Sequence, residues 1–63
     1  VVTTGSVYLR KGPGLSYGII TSASEGKEFD YLSYATDGRG VKWYKVTYAS
    51  GTAWISSKYS KIA

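Results

Sequence analysis

The side chains best suited to chemistry in this sequence are aromatic rings that carry a polar tip. Seven tyrosines and two tryptophans occur in 63 residues, more than so short a chain can bury. Buried rings build a core, whereas exposed Tyr and Trp are suited to recognition, because ordering them costs little conformational entropy. A structural role at the ends of the fold is the alternative for the two tryptophans. The aromatic candidates for a binding surface are Tyr8, Tyr17, Trp43, Trp54 and Tyr59.

The acidic side chains give little support for catalysis. The chain has neither His nor Cys, so no Ser-His or Cys-His nucleophile pair can form. Glu28 and Asp30 would share a strand face about 6–7 Å apart, a separation that glycosidases use, but Lys27 adjoins them and no cleft is evident. Scattered carboxylates without His or Cys also make no transition-metal site. We therefore expect a non-enzymatic chain that needs no metal and no cofactor.

Basic side chains lie beside the aromatic ones along the chain. The net charge of +4 favours anionic partners such as nucleic acid, anionic lipid or phosphate-rich wall polymers. The same modest charge also suits a small domain that simply stays in solution. The basic residues next to candidate aromatics are Arg10, Lys11, Lys42, Lys45, Lys58 and Lys61.

Strands must position these side chains, because apolar residues recur with a period of two and β-branched and aromatic residues dominate. The pattern predicts strands at Val1–Thr4, Val7–Arg10, Ile19–Ala23, Lys27–Ala35, Val41–Tyr48 and Thr52–Ile55. By the same alternation, four side chains are expected to face inward: Phe29, Tyr31, Tyr44 and Val46.

Turn residues separate these strands at close spacing. Gly12-Pro13-Gly14 combines a fixed φ with two permissive residues, Asp37–Gly40 suits a hairpin loop, and Ser56–Tyr59 has the length of one 3₁₀ turn. The pattern predicts an all-β fold, a small bent barrel of five to six short strands with a 3₁₀ turn near the C-terminus. We expect one domain over residues 1–63, excised from a longer protein because the chain lacks an initiator Met. No apolar run reaches the roughly 18 residues of a membrane span, so no membrane insertion is expected.

Two distant stretches resemble the bacterial SH3 domain (SH3b). Val7–Gly14, followed by Tyr17, is similar to the family pattern L-x-V-R-x-G-P-x-x-x-Y. Trp43–Val46 is similar to W-x-K-V, Gly51–Ile55 to G-x-x-G-W-V, and Ser56–Tyr59 to the short S-x-Y-like segment that follows. The motifs occur in the family's order and spacing over nearly the whole chain. The resemblance implies an SH3-like barrel.

The resemblance also implies where a ligand would bind. SH3-like folds place a groove between three segments, which here are Lys11–Tyr17, Thr36–Gly40 together with Trp43, and Ser56–Tyr59. The first of these loops contains no acid, so recognition of basic proline-rich peptides is not expected. Departures from the family pattern at Tyr8, at Ala53 and in the long Ala35–Val41 insertion bear on the identity of the ligand.

Arg10 stands at the position of the family's strand-end arginine. Its guanidinium could pair bidentately with a carboxylate of a peptidoglycan stem peptide. It could equally hold the following loop through Asp37 or a backbone carbonyl. The sequence leaves both roles open.

The function that the resemblance implies is binding without catalysis. Such a module would bind peptidoglycan peptides or other cell-wall polymers through Tyr8, Arg10, Tyr17, Trp43, Trp54 and Tyr59. It would target an attached wall hydrolase or surface protein, for example an N-acetylmuramoyl-L-alanine amidase, of a Gram-positive bacterium or its phage. The expected location is extracellular or associated with the cell wall.

Two other functions stay open. A basic aromatic β-barrel could bind single-stranded nucleic acid by stacking bases, but the RNA-binding element K/R-G-F/Y-G/A-F-V-x-F/Y is absent, so nucleic acid is not the expected partner. A protein–protein adaptor that positions a neighbouring enzyme domain is the other possibility.

Overall fold

Short β-strands make up almost all of the regular structure. A computed structural model describes residues 1–62, which form seven strands and one 3₁₀ turn. The strands are β1 (Val2–Thr3), β2 (Val7–Arg10), β3 (Ile19–Ala23), β4 (Tyr31–Thr36), β5 (Lys42–Tyr48), β6 (Gly51–Ser56) and β7 (Ser60–Lys61), and the turn is Ser57–Tyr59. No α-helix occurs within residues 1–62, so the predicted all-β class with a C-terminal 3₁₀ turn is confirmed.

The strands form two antiparallel sheets. Five of them lie in the order β3-β2-β6-β5-β4, and β1 pairs with β7 in a separate two-stranded sheet. Within the described part of the chain no ladder joins the edge strands β3 and β4, so closure of the expected barrel is not detected. Strand β6 therefore lies at the centre of the larger sheet, between β2 and β5.

The hydrophobic core lies against one face of the three central strands. Leu9 of β2, Val46 of β5 and Ile55 of β6 are completely buried. Each contributes about 1.5–3 kcal/mol by leaving water. Phe29 and Tyr44 pack on this cluster while partly buried, so the inward orientation expected for these two residues and for Val46 is confirmed.

Strand β4 corrects two of the sequence-based expectations. It begins at Tyr31 rather than at Lys27, because residues 26–29 pair with the N-terminus instead, through hydrogen bonds such as Thr3 N to Lys27 O at 2.9 Å and Phe29 N to Val1 O at 2.8 Å. Tyr31 is exposed rather than buried. It lies on an edge strand beside a register shift between Tyr31 and Ser33, and its ring meets Tyr44 edge-on with centroids 6.0 Å apart.

The remaining boundaries agree closely with the sequence. Strands β2 and β3 have the predicted limits, and β5 and β6 differ by a single residue at their ends. Strand β7 was not predicted, because two residues carry no periodic pattern. The first predicted strand, Val1–Thr4, shortens to Val2–Thr3.

Candidate ligand-binding groove

A groove of about 280 Å³ opens where two loops and the 3₁₀ turn meet. The loops are residues 11–18, between β2 and β3, and residues 37–41, between β4 and β5. The buried part of its lining includes Val7, Trp43 and Ser56. The side chains that reach solvent around it are those of Tyr8, Arg10, Leu15, Arg39, Lys58 and Tyr59. We call this feature the groove.

Strand β2 supplies Tyr8 and Arg10 to the groove. Val7 and Leu9 point into the core, so the alternation of a strand turns Tyr8 and Arg10 to the opposite face. Tyr8 is 55% exposed. A large aromatic side chain is thereby held in water by a backbone that its neighbours anchor in the core.

Arg10 holds the loop of residues 11–18 in place. Its Nη1 donates to the carbonyl oxygens of Tyr17 at 2.9 Å and Leu15 at 3.2 Å. The backbone closes the same loop through Lys11 N to Gly18 O at 2.9 Å. Of the two roles that the sequence left open for Arg10, the hydrogen bonds to backbone carbonyls are observed, and the pairing with a ligand carboxylate stays a prediction.

Gly12 lets the aromatic ring of Tyr17 lie against the same loop. A Cβ atom at position 12 would come within 2.6 Å of Cγ in the Tyr17 ring, closer than such atoms approach one another. The absence of a side chain at Gly12 therefore lets this ring cover the backbone.

Asp37 organises the second loop. Its Oδ1 accepts hydrogen bonds from the backbone N–H groups of Arg39 at 2.8 Å and Val41 at 3.0 Å. Its Oδ2 accepts from Nε1 of Trp43 at 3.0 Å. These bonds favour the charged carboxylate, and the pKa of Asp37 is lowered below its ordinary value, first by the bond from Trp43 and then by that from Val41. Gly40, at a φ of 81°, completes the turn in a conformation that favours glycine.

Trp43 is buried rather than exposed. Only 2% of its surface reaches solvent, although it lies on the face of β5 opposite to the core residue Val46. Two parts of the chain adjoin this side of the strand. They are the loop that Asp37 organises and Ser56, which pairs with Trp43 in the β5–β6 ladder. Trp43 thus lines the groove while its indole N–H donates a hydrogen bond to Asp37 and holds the loop.

The 3₁₀ turn presents Lys58 and Tyr59 on the remaining side of the groove. Ser56 caps the turn, since its Oγ accepts a hydrogen bond from Lys58 N at 3.2 Å. The buried hydroxyl of Ser60 donates to Ser56 O at 2.7 Å, and Thr4 N donates to Tyr59 O at 2.8 Å. These bonds fix the backbone of the turn from both ends.

A comparison with known protein families identifies the family of this chain. The family model described as "Bacterial SH3 domain" matches residues 5–61. The chain belongs to the bacterial SH3 domain family. The match takes up almost the entire chain, so a separate catalytic domain has no room within these 63 residues.

Two curated proteins contain a segment that is similar to this chain. Serine/threonine-protein kinase D of Synechocystis sp. is 48% identical over 56 residues, which are 86% of this chain and 11% of the kinase. The putative N-acetylmuramoyl-L-alanine amidase YrvJ of Bacillus subtilis is 32% identical over 57 residues, 90% of this chain and 10% of the amidase. The chain thus spans about a tenth of the length of these relatives. No solved structure matches it significantly.

The structure of this bacterial SH3 domain brings four of the six sequence-predicted site residues to the groove. Tyr8, Arg10, Trp43 and Tyr59 line it. Tyr17 lies in an adjoining cleft with Pro13, Asp37 and Arg39. Trp54 lies apart from both, partly buried on β6, with the Nζ of Lys45 5.9 Å from its ring centroid. Whether any of the six binds a ligand stays a prediction.

Seven residues that sequence reasoning did not select as ligand-binding also line the groove, and three of them lie in its two loops. These three are Leu15, Arg39 and Val41. Leu15 and Arg39 lie in the two loops that the family resemblance pointed to, but loop residues carry no periodicity from which a direction can be predicted. Val41 looked like an ordinary strand residue.

The charge of the groove has one sign. Its charged lining residues are Arg10, Arg39 and Lys58, and the nearby Asp37 is engaged by Trp43 and two backbone N–H groups. In the part of the chain that the structure describes, no three residues among His, Cys, Asp and Glu cluster closely enough to hold a metal ion. The same residues contain no helix of the length and hydropathy that crossing a membrane requires.

Proposed function

We propose that this bacterial SH3 domain is a non-catalytic cell-wall-binding module. It docks peptidoglycan peptides in the groove and thereby targets an attached wall hydrolase or surface protein. The observation that carries the proposal is a preformed groove that Tyr8 and Tyr59 line beside the buried ring of Trp43. All the charged side chains that line this groove are positive. Solvent-held tyrosines supply contact area and hydrogen bonds at low entropic cost.

The relatives support a binding role rather than a chemical one. The names of the two relatives describe different activities, a kinase and an amidase, and each is similar to this chain over about a tenth of its own length. A module shared by enzymes with different chemistry is best explained by what it binds. The amidase's name refers to a bond of peptidoglycan, and we infer from it a site of action outside the cytoplasm, at the wall of a Gram-positive bacterium or its phage.

A shallow groove on so small a domain gives modest affinity, which such a role tolerates. Tethering to a second wall-binding or catalytic domain turns later binding events into intramolecular ones, and the effective concentration multiplies the avidity. The domain therefore needs specificity and a fast exchange more than it needs tight binding.

Co-sedimentation of the purified domain with Gram-positive sacculi tests the proposal. The variants Tyr8→Ala and Tyr59→Ala remove exposed rings from the groove, and we expect each to weaken binding roughly tenfold, the effect of losing an aromatic contact at an interface. Tyr34→Ala is the matched control: Tyr34 is 56% exposed, as Tyr8 is 55% exposed, but it lies on the edge strand β4 beside Lys42.

The control variant is expected to bind as the wild type does. Equal losses in all three variants, at an unchanged urea midpoint, would contradict binding in the groove. No sedimentation of the wild-type domain with sacculi would remove the proposed function altogether. Binding that single-stranded DNA displaces and that falls steeply with salt would instead favour the nucleic-acid function.

An adaptor role is the second candidate, and one observation favours it. The kinase relative is more similar to this chain than the amidase relative is, at 48% against 32% identity. In that role the groove would hold a segment of the neighbouring enzyme. If the domain does not bind sacculi but binds its own parent enzyme in a pull-down, the adaptor role is established. Tyr8→Ala is then expected to weaken the interaction with the parent enzyme.

A further inference from the structure

We propose that the groove recognises a free carboxylate of its peptide ligand, held by Arg39 and Lys58. This inference rests on the proposed function and names the group that the same site selects. The groove contains three positive side chains and no acidic one. A ligand that brings a carboxylate would relieve the repulsion among these cations, whereas a neutral or basic peptide would leave it in place.

Arg39 is fixed at its backbone and available at its guanidinium. Its N–H donates to Asp37 Oδ1 at 2.8 Å, which sets the position from which the side chain leaves the loop. The side chain is 61% exposed, and its Nη2 lies 3.9 Å from Asp37 Oδ2. At this distance the ion pair is longer than a hydrogen bond, which leaves the guanidinium N–H groups available to bind a planar anion.

Lys58 is placed in a similar way on the other side of the groove. Its backbone N–H is held by Ser56 Oγ, so the 3₁₀ turn directs the side chain outward. Within residues 1–62 the structure has one ion pair, between Arg39 and Asp37. Lys58 therefore contributes an ammonium group that no carboxylate of the described chain neutralises.

Arg10 is already engaged in part by the protein itself. Its Nη1 donates to the carbonyl oxygens of Leu15 and Tyr17, so the group that the sequence suggested as a carboxylate partner also supports the loop. We therefore assign the carboxylate to Arg39 and Lys58, two residues on segments far apart in the chain. Both line the groove together with the exposed Tyr8.

The experiment compares two preparations of sacculi from which anionic wall polymers have been extracted, so that peptide carboxylates rather than phosphates are tested. In one preparation the carboxylates stay free, and in the other ammonia and a carbodiimide have converted them to amides. The double variant Arg39→Gln with Lys58→Gln removes the proposed cations. Its control, Lys27→Gln with Lys61→Gln, removes the same charge at exposed positions outside the groove.

We expect amidation to weaken binding of the wild-type domain about tenfold or more, as the loss of charge-assisted hydrogen bonds implies. The Arg39/Lys58 variant should lose as much on untreated sacculi and nothing further on amidated ones, and the control should stay close to the wild type. Equal binding of the wild type to both preparations would overturn the carboxylate inference and leave the proposed function standing. Equal losses in the variant and its control would reduce the effect to net charge and overturn it too. No binding to either preparation would defeat the proposed function itself.

Discussion

Two polar side chains, Asp37 and Thr3, each hold a segment that lies outside the main sheet. At the groove, Asp37 accepts three hydrogen bonds, from Arg39 N, Val41 N and Trp43 Nε1. At the N-terminal strand, the Thr3 hydroxyl donates to Ser24 O at 2.7 Å and accepts from Lys27 N at 2.9 Å. Each side chain therefore forms hydrogen bonds with backbone groups of a loop, where no strand ladder pairs them.

The two centres differ in charge and in what they serve. Thr3 is neutral and 1% exposed, and it joins β1 to the turn that precedes β4. Asp37 is a carboxylate whose side chain is 7% exposed, and it shapes a loop that lines the groove. The fold is thus secured by a group that pH does not alter, whereas the shape of the groove depends on a group that acid can neutralise.

The largest effect is expected when the Thr3 centre is removed. Thr3→Val keeps the shape but deletes the hydroxyl, which leaves Lys27 N and Ser24 O without this partner. Two part-buried hydrogen bonds are lost, and at about 0.5–1.5 kcal/mol each they lower the free energy of unfolding by about 1–3 kcal/mol. Urea unfolding measures this loss.

Thr3→Ser, which retains the hydroxyl, is the control and should lose less than Thr3→Val. Binding to sacculi by the folded fraction is expected to stay unchanged in both variants. A loss of binding in Thr3→Val at full folding would contradict the division between a fold centre and a groove centre.

A smaller effect is expected from a methyl group at Gly12. Gly12→Ala forces the ring of Tyr17 away from the loop, and because this ring is about half exposed it can move into solvent at a cost of about 1 kcal/mol. In the double variant with Tyr17→Ala the clash disappears, so the two effects should not add. Gly5→Ala is the control, because nothing lies within 4 Å of a Cβ atom added there. Additive losses in the Gly12/Tyr17 pair would show that the ring does not lie on this glycine.

The effect of protonating Asp37 is expected at the groove and is expected to be the smallest. Hydrogen bonds lower the pKa of Asp37 below its ordinary value of 3.8. Its contribution to stability is therefore complete above that value and is lost as the pH falls through the lower pKa of the folded state. Asp37→Asn should lack this part of the acid response, because its amide group cannot charge and presents N–H to Trp43 in place of an acceptor.

Tryptophan fluorescence of the free domain between pH 7 and pH 2 would measure this response, with Thr3→Ser as the comparison that retains the carboxylate. We expect the wild type and Thr3→Ser to share one acid transition in the groove, and Asp37→Asn to show no such transition. The same transition in Asp37→Asn would assign the pH dependence to another group.

Much of the fold followed from local patterns. Strand β2 has the predicted limits because buried and solvent-facing side chains alternate along it. Strand β3 has them because its β-branched run lies between a glycine and polar residues. The Ser56–Tyr59 turn was placed correctly because its polar residues cap it locally. The predicted beginning of β4 was wrong, since residues 26–29 have a strand-like composition but form hydrogen bonds with the N-terminal strand.

Prediction of the groove was limited by contacts between distant segments. The resemblance identified the three segments that enclose it, and four of the six residues selected lie in its lining. The roles of Arg39 and Asp37 depend on which side chain the loop meets across the sheet. No local pattern in Thr36–Gly40 contains that information.

By itself the sequence determined the all-β class, the family and the side of each strand on which a residue lies, because a period of two is a local property of the backbone. The tertiary structure decided what covers each side. Trp43 and Trp54 show the difference, since the β5–β6 ladder pairs Trp43 with Ser56 and Lys45 with Trp54 and so places both rings on the same face of one sheet. The loop held by Asp37 adjoins Trp43 and buries it, whereas Trp54 keeps part of its ring in solvent beside Lys45. Alternation sets the direction of a side chain, and only the packing of segments distant in sequence determines whether water or protein lies in that direction.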